Sequence, residues 1–351
     1  MKNNTGQGTI PNAKAILKAY DFDDSVEQLL ELDAELGIVP AQALEVVLQT
    51  ARQLQTMANE MLRPRSSTTP ARVTNREIVD NATALIGAVS SIRKTNVHQF
   101  LSRDEADNVH RARNVLLAVI LLGSRGTLDK PTAESVCTEF APLRPRSAGF
   151  TRPYEDDEIL LLRVWALLLS EVGGKHGRRS AAVYAQCDAG MVPGETTSMR
   201  ATDVVLEPGN SLLWAPGLRV GVRERVLRLD SFQQHLLSRF AADLGDRDPK
   251  ASFTYNARGA WKYDAAAASA TGVLDRQRMA VGLRHQDTTS SSIPMWRAQY
   301  SERHEGGVAA ALQVSGRSSA ANHRGLMRHR INPSTSRDRR SNKSRVFAIS
   351  S

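Results

Sequence analysis

Arginine is the residue with which this chain could do chemistry. Arg178-Arg179, the set Arg219, Arg223 and Arg225, and then Arg258, Arg297 and Arg317 recur through its second half. A guanidinium presents five N–H donors in a planar fork that suits a phosphate, and it stays charged at any working pH. Such a set can hold a polyanion, but it donates a proton poorly to a leaving group. Tyr300 is the last tyrosine and a weak candidate nucleophile. His285, His304 and His323 lack the close His/Cys spacing of a zinc site, so no metal is assigned. No Gly-x-x-x-x-Gly-Lys-Ser/Thr loop occurs, which argues against nucleotide hydrolysis, and no cofactor is expected.

The elements that must position these groups centre on residues 183–229. An apolar helix breaks at Ala189-Gly190, a short helix restarts at Pro193-Gly194-Glu195, and it closes on Thr202-Asp203. Two apolar runs follow, Ser211 to Trp214 and Arg225 to Leu229, with Arg219-Val220-Gly221 able to turn the chain between them. The Lys175–Arg179 stretch reads as a loop before the helix, and Arg200 as an ion-pair partner of Asp203. Upstream, helices are expected from Asp24 or Ser25 to Leu36, from Pro40 to Leu62, from about Asn75 to Ile92, from Asp104 to Leu122 and from Thr132 to Phe140. The acidic run Tyr154 to Glu158 opens another helix, whose Leu161, Leu162, Trp165, Leu168 and Leu169 share a buried face. Downstream, Ser231–Leu244, Tyr263–Ala280, Ile293–His304 and Val308–Val314 read as helices, with a short β-like run at Phe253–Tyr255.

The order around Gly190, Glu195, Met199 and Asp203, followed by a β-ribbon, resembles the opening of the catalytic domain of the tyrosine recombinase (phage integrase) family. That family places its first catalytic arginine where Val192 stands here. In the favoured register, Ser291 to Arg297 lies over the family's His-x-x-Arg helix. Gly306-Gly307 then matches its interhelical glycine, and Val314-Ser315-Gly316-Arg317 matches its Leu-Gly-His turn. The family histidine becomes Arg317, Arg297 lies one or two positions from the second arginine, and no tyrosine stands near the nucleophile position at Met327. A rival register sets Gly282-Leu283-Arg284-His285 over that turn, but the 15 residues from His285 to Tyr300 are too many. The resemblance therefore implies double-stranded DNA as partner, phosphate contacts from two domains, self-association on DNA and a mobile-element setting. It implies a fold kept for binding after strand cleavage was lost. A divergent active recombinase and a helical interaction module without a DNA role stand beside it as alternatives.

The expected fold is mainly α with a small antiparallel sheet. Residues 1–19 read as a disordered start, 20–145 as a helical core-binding-like domain, 150–330 as an integrase-catalytic-like domain and 331–351 as a basic disordered tail. Of the net +9, +7 lies from Arg324 onward, which leaves +2 for residues 1–323. The high pI belongs mostly to the tail, and a basic tail favours polyanions without sequence preference. Cys137 and Cys187 stand far apart and read as small apolar fillers in a reduced, cytoplasmic setting. No run of about 18 apolar residues occurs, so no membrane span is expected.

Overall fold

The computed structural model describes residues 22–40, most of 110–122, 130–139, 151–207, 209–218, 221–244, 252–254 and 263–318. The expected helices over 40–62 and 75–92, the two terminal segments, Arg219, Arg258 and Met327 lie outside the described residues. Helix α1 spans Phe22–Leu36 and α2 spans Lys130–Glu139. Between them, the described residues of 110–122 are helical. Then come α3 (Asp156–Val172), α4 (Gly174–Asp188), the strands β1 (Val204–Val205), β2 (Leu212–Ala215) and β3 (Arg225–Arg228), and α5 (Ser231–Ala242). The chain continues with α6 (Tyr263–Ala280), α7 (Ser292–Ser301), a π-helical turn (Glu302–Gly306) and α8 (Gly307–Ser315).

Helix α3 is the axle. Its sequence is apolar nearly all round, so it cannot lie on a surface. Every residue from Asp157 to Ser170 is buried. Glu155 and Glu158 close its first turn as a reciprocal capping box, which satisfies donors that would otherwise be orphaned. Helices α4, α5, α6 and α2 pack around it. Trp165 is buried in this core, as its place in the apolar stripe predicts.

A charge sits in the middle of that apolar helix. Arg163 is 3% exposed. Its Nη2 donates to Asp188 Oδ2 at 2.7 Å and to Asp230 Oδ2 at 2.9 Å, and its Nη1 donates to the Gly37 carbonyl at 3.0 Å. The guanidinium also lies 5.1 Å from the Phe232 ring centroid and 5.5 Å from that of Trp296. Burial works against its charge, but Asp188 and Asp230 hold its pKa above the ordinary range. Asp188 further accepts from Tyr184 Oη at 3.3 Å and Gln233 Nε2 at 2.8 Å. Asp230 caps α5 by accepting from the Gln233 amide at 2.8 Å. One side chain thus ties α3 to the end of α4, the start of α5 and the turn after α1.

The sheet is antiparallel in the order β1-β2-β3. Leu213 and Leu227 pair across it and point to the core, while Trp214 and Val226 pair on the exposed face. The ribbon matches the two apolar runs expected. Strand β1 extends it by two residues, too short a run to read from pattern. Three expectations are corrected. Lys175–Arg179 is no loop, because it forms the opening turns of α4, which starts directly after Gly173. The segment 193–198 is a series of turns, with the helical close confined to a 3₁₀ turn at Ala201–Asp203. The Asp203 carboxylate accepts the Arg200 backbone N–H at 2.7 Å, a local cap where a side-chain ion pair had been expected.

Replacing Arg163 by Met should strand the buried Asp188 carboxylate, unpair Asp230 and cost about 3–5 kcal/mol of unfolding free energy in urea titrations. Adding Asp188→Asn to that variant should recover part of the loss. A double variant less stable than Arg163→Met alone would refute the arrangement.

Candidate nucleic-acid interface

The residues that break α4 build the site. Gly190 has φ 118°, and a Cβ there would stand 2.6 Å from Val314 Cγ1 and 3.7 Å from Arg297 Cγ. Only glycine lets α8 and α7 come this close to the turn. The Val192 amide donates to Glu195 Oε2 at 2.8 Å, which folds the carboxylate back under the turn. Glu195 is fully buried.

Arg225, from β3, meets it there. Its Nη1 donates to Glu195 Oε1 at 2.6 Å and its Nη2 to Glu195 Oε2 at 2.9 Å. The remaining donors go to carbonyls: Nε to Val314 at 2.6 Å, Nη2 to Gly190 at 2.9 Å and Nη1 to Arg223 at 3.1 Å. All five guanidinium N–H groups are therefore used inside the protein. Arg225, expected as a DNA contact, is corrected to a structural tie between the Gly190 turn, the ribbon and the end of α8. The Arg223 amide continues this tie by donating to the Gly316 carbonyl at 2.8 Å. Gly316 ends α8 in the left-handed region (φ 66°), and a Cβ there would meet the Arg223 carbonyl at 2.8 Å. Segments 183–229 and 291–318 are thus one packed unit, and the Val314–Arg317 turn seats on the ribbon. Gly282–His285 instead forms the turn after α6.

The other expected cations divide into two groups. Arg178 forms an ion pair with Asp243 through Nε and Nη2, which pins α4 to the end of α5. The first cause of the raised Arg178 pKa is that hydrogen bond. Arg179 lines a cavity of about 480 Å³ with Lys130, His176 and Arg276. These two lie some 18 Å from Gly190 along the α4 axis, at 1.5 Å per residue. Arg223, Arg297 and Arg317 belong to the junction. Arg223 is exposed and Arg317 half-buried.

Arg297 is the most telling of them. It rises from α7 beside Gly190, and its charge reaches the Asp230 carboxyl. Its Nη1 forms an ion pair with Glu305 Oε1 at 2.7 Å, while its Nε is buried without a hydrogen-bond partner. Its guanidinium lies 5.3 Å from the Tyr300 ring centroid. The Tyr300 ring in turn sits 5.3 Å from Trp296 and 4.7 Å from His304. Glu305 belongs to the π-helical turn, which ends on Gly306 and Gly307, both at positive φ. Trp296 is core, and its Nε1 donates to Asp156 Oδ1 at 2.7 Å.

Sequence reasoning missed a second polar centre, around Glu158. Its Oε2 accepts from Arg152 Nη1 at 2.7 Å and from the Glu155 amide at 2.9 Å, and its Oε1 accepts from Arg152 Nη2 at 2.8 Å. His110 Nε2 lies 3.1 Å and His285 Nε2 3.8 Å from the same Oε1. Burial alone would raise the Glu158 pKa, but Arg152 and His110 hold it well below the usual carboxylate value. His110, Glu158 and His285 come from widely separated segments, so no spacing rule could have joined them.

Alanine at Gly190 or at Gly316 should each cost more than about 1 kcal/mol, since both need a backbone that a Cβ disfavours. Thermal or urea unfolding reads this directly. A neutral effect at both positions would contradict the close packing of α8 on the ribbon.

No family model matches the chain, and no curated protein matches it. Among solved structures it is similar to XerA recombinase, with 14% identity and a TM-score of 0.40 over 92% of this chain and 98% of that one. It is similar to XerH site-specific recombinase bound to palindromic difH substrate in a post-cleavage complex, with 15% identity, TM-score 0.40 and 80% and 91% covered. A lambda integrase dimer bound to a COC' core site gives 13% identity, TM-score 0.37 and 87% and 76% covered. At this degree of overlap no residue role passes from those proteins to this chain.

Proposed function

We propose that the chain is a DNA-binding protein on an integrase-like frame that grips phosphates without cutting them, in the setting of DNA recombination. The observation that carries this reading is the state of Arg297. Its charge is held by one carboxylate, Glu305, whose side chain is 37% exposed. A carboxylate oxygen beside a guanidinium nitrogen stands where a phosphate oxygen would stand. A phosphate displacing Glu305 would meet Arg297 at the Gly190 turn, with the exposed Arg223 on the ribbon. Val192 offers no side-chain cation where the resembled family has its first arginine, and Arg225 is spent on Glu195. Phosphate can therefore be positioned here, while little is left to stabilise a pentavalent transition state. Self-association on DNA and contacts from residues 20–145 belong to the same proposal.

Divergent cleavage by Tyr300 is the second reading, and its support is the Arg297 guanidinium over the Tyr300 ring. Against it, the ring is packed between Trp296 and His304.

Gel-shift titrations across salt concentrations test the proposal. Binding to duplex DNA should weaken steeply with salt, and Arg223→Ala or Arg297→Ala should each reduce the log–log slope by about 1. Glu305→Gln should tighten binding. Binding that ignores both salt and these variants would sink the proposal. A covalent adduct on a nicked suicide substrate, lost in Tyr300→Phe, would transfer the case to the second reading.

A further inference from the structure

We infer that His110, Glu158 and His285 form a binding site for one divalent transition-metal ion, zinc being the best fit. The ion would clasp the helical residues of 110–122 to α3 and to the turn after α6. The donor atoms of the three side chains all lie within 4.8 Å of one another. Two of the separations are 3.1 Å, His110 Nε2 to Glu158 Oε1, and 3.8 Å, His285 Nε2 to the same oxygen. Zinc held tetrahedrally at ~2.05 Å from nitrogen and oxygen keeps its donors about 3.4 Å apart, between those two values. Small side-chain shifts therefore suffice to seat the ion. Two imidazoles and one carboxylate select zinc or a neighbouring transition metal over calcium or magnesium, which require oxygen donors.

The hydrogen bonding around His110 points the same way. Its Nε2 faces a carboxylate oxygen, Glu158 Oε1, and the amide nitrogen of Asn114, each at 3.1 Å. The Asn114 amide cannot turn round to relieve this. Its Oδ1 accepts from Arg113 Nη1 at 2.8 Å, and its Nδ2 donates to Asp157 Oδ2 at 2.8 Å. A protonated Nε2 suits Glu158 and opposes the amide; a bare Nε2 suits the amide and opposes Glu158. His110 Nδ1 is buried without a hydrogen-bond partner, so neither tautomer is fixed from the far side of the ring. A cation between Nε2 and Oε1 removes the lone-pair repulsion that the bare form suffers.

Arg152 is the group that speaks against a cation, since it forks Glu158 from the other side. Two further carboxylates offset it: Asp287 accepts from Arg152 Nε at 3.0 Å, and Asp157 lies behind Asn114. Glu158 would bind the ion through Oε1 alone. Arg152 Nη1 and the Glu155 amide would hold Oε2, as outer hydrogen bonds orient a ligand carboxylate, and Oε1 would share its second lone pair with Arg152 Nη2. Glu158 is fully buried, and the His285 side chain, 11% exposed, is the most accessible of the three. The role is structural, and it stands apart from the proposed grip on DNA.

The test uses the full chain with any affinity tag removed, stripped with a chelator, then titrated with zinc, or with cobalt as a spectroscopic probe. We expect one ion per chain by elemental analysis, and visible d–d bands of tetrahedral cobalt. The melting temperature should rise by roughly 5 °C at zinc 100-fold above its Kd. His110→Gln, His285→Gln and their combination should abolish all three signals, and His176→Ala, at an exposed position, should retain them. Should His110→Gln fail to fold, His285→Gln at its partly open position carries the test. Zinc stoichiometry or melting response that survives His285→Gln would overturn the site, as would failure to retain any ion at micromolar zinc. None of these readouts involves DNA, so the site and the DNA-binding proposal stand or fall separately.

Discussion

A guanidinium buried in an apolar helix must be neutralised where it stands, and the arrangement of this protein follows from how Arg163 achieves that. Moving an unpaired charge out of water costs several kcal/mol even after relaxation. Asp188, Asp230 and the Gly37 carbonyl must therefore converge on it. Asp188 ends α4 and Asp230 starts α5, so convergence fixes where both helices meet α3. Gly37, which stops α1 at φ 60°, brings the N-terminal helix to the same point. Phe232 and Trp296 close the faces of the group against water. Apolar packing alone tolerates sliding of one helix on another; a ring of directional bonds to a single cation does not.

The same constraint operates again at Arg225, and there it bears on function. Its five bonds lock the Gly190 turn, the ribbon and the end of α8 into one unit. An arginine used in this way is withdrawn from any ligand. The basic composition of the second half therefore overstates the charge offered to a polyanion. Arg163, Arg225 and Arg278 are buried, and Arg178 is held by Asp243. Among the described residues of the junction, Arg223 is exposed and Arg297 is paired with Glu305.

Much of the frame was legible in the chain. The helix ends expected at Leu36, Ala280 and Val314 hold to within one residue, and Gly37, Gly282 and Gly316 lie just past them at positive φ. The ribbon pairs the two runs that pattern picked out, and α6 covers the residues expected of it. One misreading has a plain physical cause. Lys175 to Arg179 is polar, so it reads as loop, yet its residues extend α4 by opening turns whose glycine packs against the preceding helix. Gly177 sits so near the Leu169 carbonyl that no Cβ would fit. The site was less legible than the fold because charge in a sequence does not say which way a side chain faces. Arg225 sits in an alternating strand, where one register step separates the core from solvent. The signal for Arg163 was present, since a lone cation within ILLLRVWALLL must have partners, but their identity depends on contacts 25 and 67 residues away.

On the proposed reading, the distribution of charge divides the work of binding. Residues 1–323 carry a net +2, and the segment from Arg324 onward carries +7. Counterion release scales with the number of phosphates neutralised, so the tail supplies most of the sequence-independent attraction. The junction supplies few contacts, but its cations stand on elements that Arg225 and Gly316 hold in register. Contacts from a rigid frame fix position and orientation on the duplex, which net charge alone does not. Glu305 refines this division. Because it already occupies Arg297, a phosphate gains only the difference between two anionic partners, so weakly placed DNA is held by the tail alone. Only DNA that also fits the ribbon and the facing turn recovers enough to displace the carboxylate. A frame without a full cleavage set can still discriminate by shape in this way, provided the buried ion pairs keep it from yielding.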